Sequence, residues 1–132
     1  MENGELRIEN EFNMKNNIIS EKSIEFSIRL IKLYKILIDD KKEFILSKQL
    51  LRSGTAIGAL IREAEHAQSK ADFLNKMNIA LKEANETDYW ILLLCKGDFI
   101  SEKEYQSIQK DCEELIKLLV KIVKTTKESL GR

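Results

Sequence analysis

Proline is absent from the 132 residues, and glycine occurs only five times. A chain so poor in the residues that turn a backbone sharply is not a turn-rich all-β domain or a low-complexity linker, and it favours long helices. Two cysteines are too few for a disulfide scaffold, and one histidine is too few for a histidine-rich metal centre. Charge of one sign is also missing: 22 lysines and arginines balance 22 aspartates and glutamates. The global basic footprint of a dedicated nucleic-acid binder is therefore lacking, and any basic patch must be local. No apolar run reaches the roughly eighteen residues of a membrane span, and residues 1 to 18 lack a basic stretch followed by an apolar one. A cytosolic protein with no membrane partner is expected. There is no G-x-S-x-G and no glycine-rich phosphate loop, so neither an enzyme nor a bound cofactor is expected.

What is present is helical periodicity in a chain that is 43% hydrophobic, enough for one core without disulfide or metal staples. Residues 1–18 are polar and asparagine-rich, and read as a disordered tail; residues 19–130 read as one domain. From Ser20 or Ser23, Phe26, Leu30, Leu33 and Leu37 recur at alternating four and three, flanked by Ile24, Ile28, Ile31 and Tyr34, so the first helix is apolar over a wide arc. Asp39 to Phe44 interrupts the pattern, and Ser47 is the expected N-cap of the second helix.

The core line of the second helix is Leu50, Gly54, Ile57, Ile61, Ala64 and Gln68. Gly54 and Gly58 each cost about 1 kcal/mol relative to alanine unless a close helix crossing compensates, and such a crossing is expected. Ser69 with Asp72 marks a third helix from near Lys70, with core line Phe73, Met77, Ala80, Ala84, Thr87, Ile91 and Leu94 and Gly97 in the position after the C-cap. Ser101 with Glu104 opens a fourth, with Tyr105, Ile108, Cys112, Leu115, Leu119 and Ile122 inward. The fold class is all-α, an antiparallel up-down-up-down four-helix bundle. In that arrangement Cys95 and Cys112 lie on the order of 12 Å apart along the axis, too far for a disulfide, and both are expected reduced.

Glu63-Ala64-Glu65-His66 has the Glu-x-x-His spacing of di-iron bundles. No second copy exists, and His66 lies about 200° from the core line, so no metal site is expected. Lys110, Lys117, Lys121 and Lys124 form a stripe on the fourth helix opposite its core; the stripe is either a solvated face or a surface for nucleic-acid phosphates. Two faces mix charge with apolar bulk or small side chains: Arg52, Ala56, Ala59 and Glu63 on the second helix, and Lys76, Ile79, Glu83, Glu86 and Trp90 on the third. They suit either boundary positions within one bundle or a contact between subunits, where tryptophan and arginine are enriched. As a contact they would meet heterologously, Arg52 and Glu63 of one copy near Lys76, Glu83 or Glu86 of the next.

The ordered set RSGT (52–55), IGA (57–59), REA (62–64), SKADF (69–73), KMNIALKEA (76–84), ET (86–87) and YW (89–90) resembles a known signature. It is similar to that of the bacterial four-helix-bundle proteins known as S23 ribosomal proteins, encoded in intervening sequences of 23S rRNA genes. The likeness runs from Ile19 to about Leu119 and departs at Leu60, where the family pattern has asparagine, and at Ala56, often serine. The resemblance implies a homo-oligomeric ring of five protomers without catalytic activity, associated with ribosomal RNA or ribosomes. A related branch, the accessory variability proteins of diversity-generating retroelements, implies an alternative: an adaptor binding a reverse transcriptase and nucleic acid. That branch is strongly basic, and this chain is neutral.

Overall fold

In a computed structural model the side chains of residues 17–132 are described, and four helices follow one another: α1 (Glu2–Asp39), α2 (Leu46–Glu65), α3 (Lys70–Lys96) and α4 (Glu102–Ser129). α1 packs on α2, α2 on α3, α3 on α4, and α4 closes the square on α1. Neighbours are antiparallel. Lys22 reaches Glu114 while Arg29 reaches Ser107 and Asp111, and Cys112 lies against Ala84 where Gln109 meets Asp88. The expected bundle is the observed one. Of the tail expected over residues 1–18, the side chains of residues 1–16 lie outside the described residues.

The core lines of α3 and α4 are buried as their spacing dictates, with Tyr105 half-buried at the start of α4. On α1 the core begins earlier than the sequence signals suggest, because Ile19 is fully buried. Ser20 and Ser23 do not start this helix; α1 runs through both, and the buried Ser23 hydroxyl donates 2.7 Å back to the Ser20 carbonyl. The glycine crossing is present. A Cβ on Gly54 would run into Leu30 Cδ1, and one on Gly58 would lie 3.3 Å from Ser23 Oγ, so both glycines let the α1 side chains approach the α2 backbone.

Three local expectations are corrected. Ser47 is not the N-cap of α2; Ile45 holds that position without a side-chain cap bond, and the first turn is capped instead from outside by Glu43. Its carboxylate accepts from the backbone N–H of Ser47 at 2.6 Å and of Ile45 at 3.2 Å, while the Ser47 hydroxyl donates back to the Glu43 carbonyl at 2.6 Å. Burial opposes ionisation of Glu43, but the backbone N–H groups of Ser47, Leu46 and Ile45 outweigh it and hold the carboxyl below its usual range. Gln68 is not on the core line, because α2 ends at Glu65 with His66 as C-cap and the exposed Gln68 belongs to the turn that Ser69 closes. Gly97 is the C-cap of α3 itself at φ −86°, and Asp98 takes the left-handed position at φ 65°. Aspartate tolerates that conformation better than most residues, so glycine is not required there.

The Ser69 cap and the Ser101–Glu104 capping box are present as expected. Both cysteines are free thiols; burial pushes Cys112 up to about 12, so it is a neutral packing group. Among the described residues no helix is long and apolar enough to cross a membrane.

Candidate interaction surface

The two mixed faces expected on α2 and α3 turn out to be the two sides of one seam. α2 and α3 are joined by a four-residue turn, His66 to Ser69, and run antiparallel, which brings the N-terminal half of α2 level with the C-terminal half of α3. Beneath the surface, the fully buried Ser53 and Thr87 hydroxyls lie 2.8 Å apart, with the Glu83 and Leu50 carbonyls in reach as acceptors. This polar pair fixes the register of the seam, since any slip would leave buried hydroxyls unsatisfied.

Above it, Arg52 spreads its guanidinium over two carboxylates one turn apart on α3. Nη1 donates to Glu83 Oε2 at 3.2 Å, and Nη2 lies 2.7 Å from both oxygens of Glu86. Gln49 Oε1 accepts from Arg52 Nε at 3.4 Å, and Trp90 Nε1 donates to Glu86 Oε1 at 3.2 Å. The hydrogen bond from Arg52 outweighs the opposing effect of burial and, with a lesser one from Trp90, holds the Glu86 carboxyl below its usual range. Tyr89 packs against Trp90 with the rings tilted by 59° and their centroids 5.3 Å apart, and is itself half exposed.

Arg52, Glu83 and Glu86 therefore pair within one chain, and these carboxylates need no cation from a second copy. Glu63, exposed near the far end of α2, and Lys76, half-buried near the start of α3, make no ion pair among the described residues. Ala59 and Ile79 are exposed and Ala56 and Trp90 half-buried, so an apolar strip with small and large members runs beside the ionic cluster. Gln49 and Tyr89 belong to this surface, and the heptad reading passed over both. Gln49 carries a signal in being three residues before Arg52, one helical turn away; Tyr89 carries none beyond adjoining Trp90.

Lys110, Lys117, Lys121 and Lys124 stand together on the outward face of α4, all exposed. Lys117 pairs with Glu113 at 3.3 Å, which lowers the free charge of the stripe. Beside it, between α3 and α4, an open groove of about 360 Å³ is floored by Leu81, Val120 and Val123 and rimmed by Lys124, Lys127, Glu128 and Arg132. His66 is exposed at the end of α2, and among the described residues no three histidine, cysteine, aspartate or glutamate side chains gather as metal ligands would.

The family model of the 23S rRNA-intervening sequence protein matches residues 15–121, through all four helices. The chain belongs to that family. Among solved structures it is similar to a protein of unknown function from the S23 ribosomal protein family of Bacteroides thetaiotaomicron, with 57% identity over 83% of this chain and 98% of that one and a TM-score of 0.82. No functionally curated protein matches. The RSGT and YW elements of the sequence signature fall on the Arg52–Glu86–Trp90 cluster, so this part of the signature coincides with one physical surface.

Proposed function

We propose that this protein is a non-catalytic, self-assembling bundle that associates with ribosomal RNA or the ribosome. The observation that carries the reading is the α2–α3 surface, where Trp90, Ile79 and the two alanines lie beside an ionic cluster already satisfied in its own chain. A rigid, pre-paired arginine next to a half-buried tryptophan resembles the centre of a protein interface more than a solvated face. Such a patch meeting a different patch on the next copy closes into a ring, for which the sequence resemblance supports five members. The family name supports ribosomal RNA as the associate, and the α4 lysines with the basic groove rim supply the phosphate contacts.

Light scattering beside circular dichroism tests the assembly. The wild type is expected to be multimeric at tens of micromolar (adequate for contacts of ~1 μM), with Trp90→Ala and Glu83→Arg each moving it towards monomer while helicity is kept. A monomeric wild type would sink the reading. RNA binding is expected to be weak and steeply salt-dependent, falling roughly fortyfold between about 50 and 200 mM salt for three or four phosphate contacts. Reversing Lys117, Lys121 and Lys124 to glutamate is expected to abolish it; an unchanged affinity would remove the α4 stripe from consideration.

A further inference from the structure

α1 carries two heptad lines. One is the core line; the other points away from the bundle and consists of Ile24, Ile28, Ile31, Lys35 and Ile38, again at alternating four and three. The first three isoleucines are 52%, 49% and 40% exposed. β-branched residues at this spacing, with one lysine interrupting, are the pattern of a helix that has a helical partner on its outer side, the lone polar residue setting register. Four charges flank or continue the line: Glu21 and Glu25 towards its start, Lys32 and Lys35 towards its end. All four are exposed, and among the described residues none makes an ion pair.

That order, acidic then basic, is self-complementary only when two copies run antiparallel. If Ile28 of one copy sits opposite Ile31 of the other, Ile24 falls opposite Lys35. The flanking positions then place Glu25 of each copy beside Lys32 of the other and bring Lys35 within a turn of the other's Glu21. A parallel pairing in register would instead put Glu25 beside Ser20 and Lys32 beside Ser27, with no charge pair formed. We infer that α1 docks antiparallel on the α1 of a second copy through the Ile24–Ile28–Ile31 line, in an isologous contact closed by two Glu25–Lys32 pairs. This contact goes beyond the proposed α2–α3 assembly and is independent of it. It closes at two copies and involves neither Arg52 nor Trp90.

The test uses the full chain, alone and in a Trp90→Ala background that removes the other contact, with mass read by sedimentation and native mass spectrometry and fold by circular dichroism. A two-chain species is expected in the Trp90→Ala background and is expected to be lost on adding Ile28→Glu. Glu25→Lys and Lys32→Glu, both at exposed positions, are each expected to weaken the pair about tenfold, since two attractive contacts become repulsive. The double variant Glu25→Lys/Lys32→Glu keeps the net charge and is expected to recover it, and mixing the two single variants is expected to give a heterodimer tighter than either homodimer. A mass unchanged by Ile28→Glu in both backgrounds, as would be found if α1 instead docked a helix of a different protein, overturns the inference. So does failure of both the double variant and the mixture to recover pairing. Failure of the α2–α3 reading looks different: Trp90→Ala alone leaves the mass as it was.

Discussion

Glu43→Ala is expected to lower the stability of the folded chain by about 2–3 kcal/mol in urea unfolding, far more than an alanine substitution at a loop glutamate ordinarily does. The loss combines removal of an N-cap, about 1 kcal/mol, with the stranding of partly buried backbone N–H groups that the carboxylate now satisfies. Glu43→Gln keeps one acceptor oxygen and is expected to recover about half of the loss. The pH dependence follows from the sign of the shift: a carboxyl held below its ordinary range stabilises the fold fully above the unfolded value near 4.5, and that contribution is lost as pH falls through the lower folded value. The wild type and Glu43→Gln are therefore expected to differ above about pH 5 and to converge in stability as pH falls through the lowered folded value. Parallel curves across that range would show that Glu43 does not act as an ionised cap.

Gly54→Ala is expected to destabilise the bundle by about 1–2 kcal/mol, although alanine is the better helix former by about 1 kcal/mol. The new Cβ meets Leu30 Cδ1, and Leu30 is fully buried, so the clash is resolved only by repacking the core between α1 and α2. Gly54→Val is expected to cost more, about 3 kcal/mol or above, since it adds bulk to the same contact. Gly58→Ala is the control. Its Cβ would face the Ser23 hydroxyl at 3.3 Å, a contact relieved by a few tenths of an ångström, so its stability is expected to stay within about 1 kcal/mol of wild type. Equal unfolding midpoints for Gly54→Ala and Gly58→Ala would refute the account of the crossing.

The helices and their inward faces were legible because heptad spacing is a local signal, and Phe73, Met77, Ala80 and Ala84 can be aligned without knowing what they touch. The two glycines were legible for the opposite reason, as a local penalty that only a close neighbour explains. The Glu43 cap was not, because a glutamate in a charged run looks like any solvated loop residue; its role depends on a carboxylate folding back over the start of α2. Arg52, Glu83, Glu86 and Trp90 were singled out as residues that want partners, and within the chain they pair with one another. Which partners could not be read, since spacing gives the face of a helix and not whether the facing surface belongs to the same chain.

The square arrangement also sets the order in which the fold can assemble. Three of its four seams join helices adjacent in the chain across short turns, so little loop entropy is lost in forming them and folding is expected to be fast for the chain's size. Only the α1–α4 seam waits for both ends of the domain. It is also the seam bridged by half-exposed ion pairs, Lys22 with Glu114 and Arg29 with Asp111. During synthesis α1 emerges first and meets α4 last. Until then its inner isoleucine and leucines are covered on the α2 side alone, whereas the isoleucine line on its outer side is as exposed before the domain closes as after.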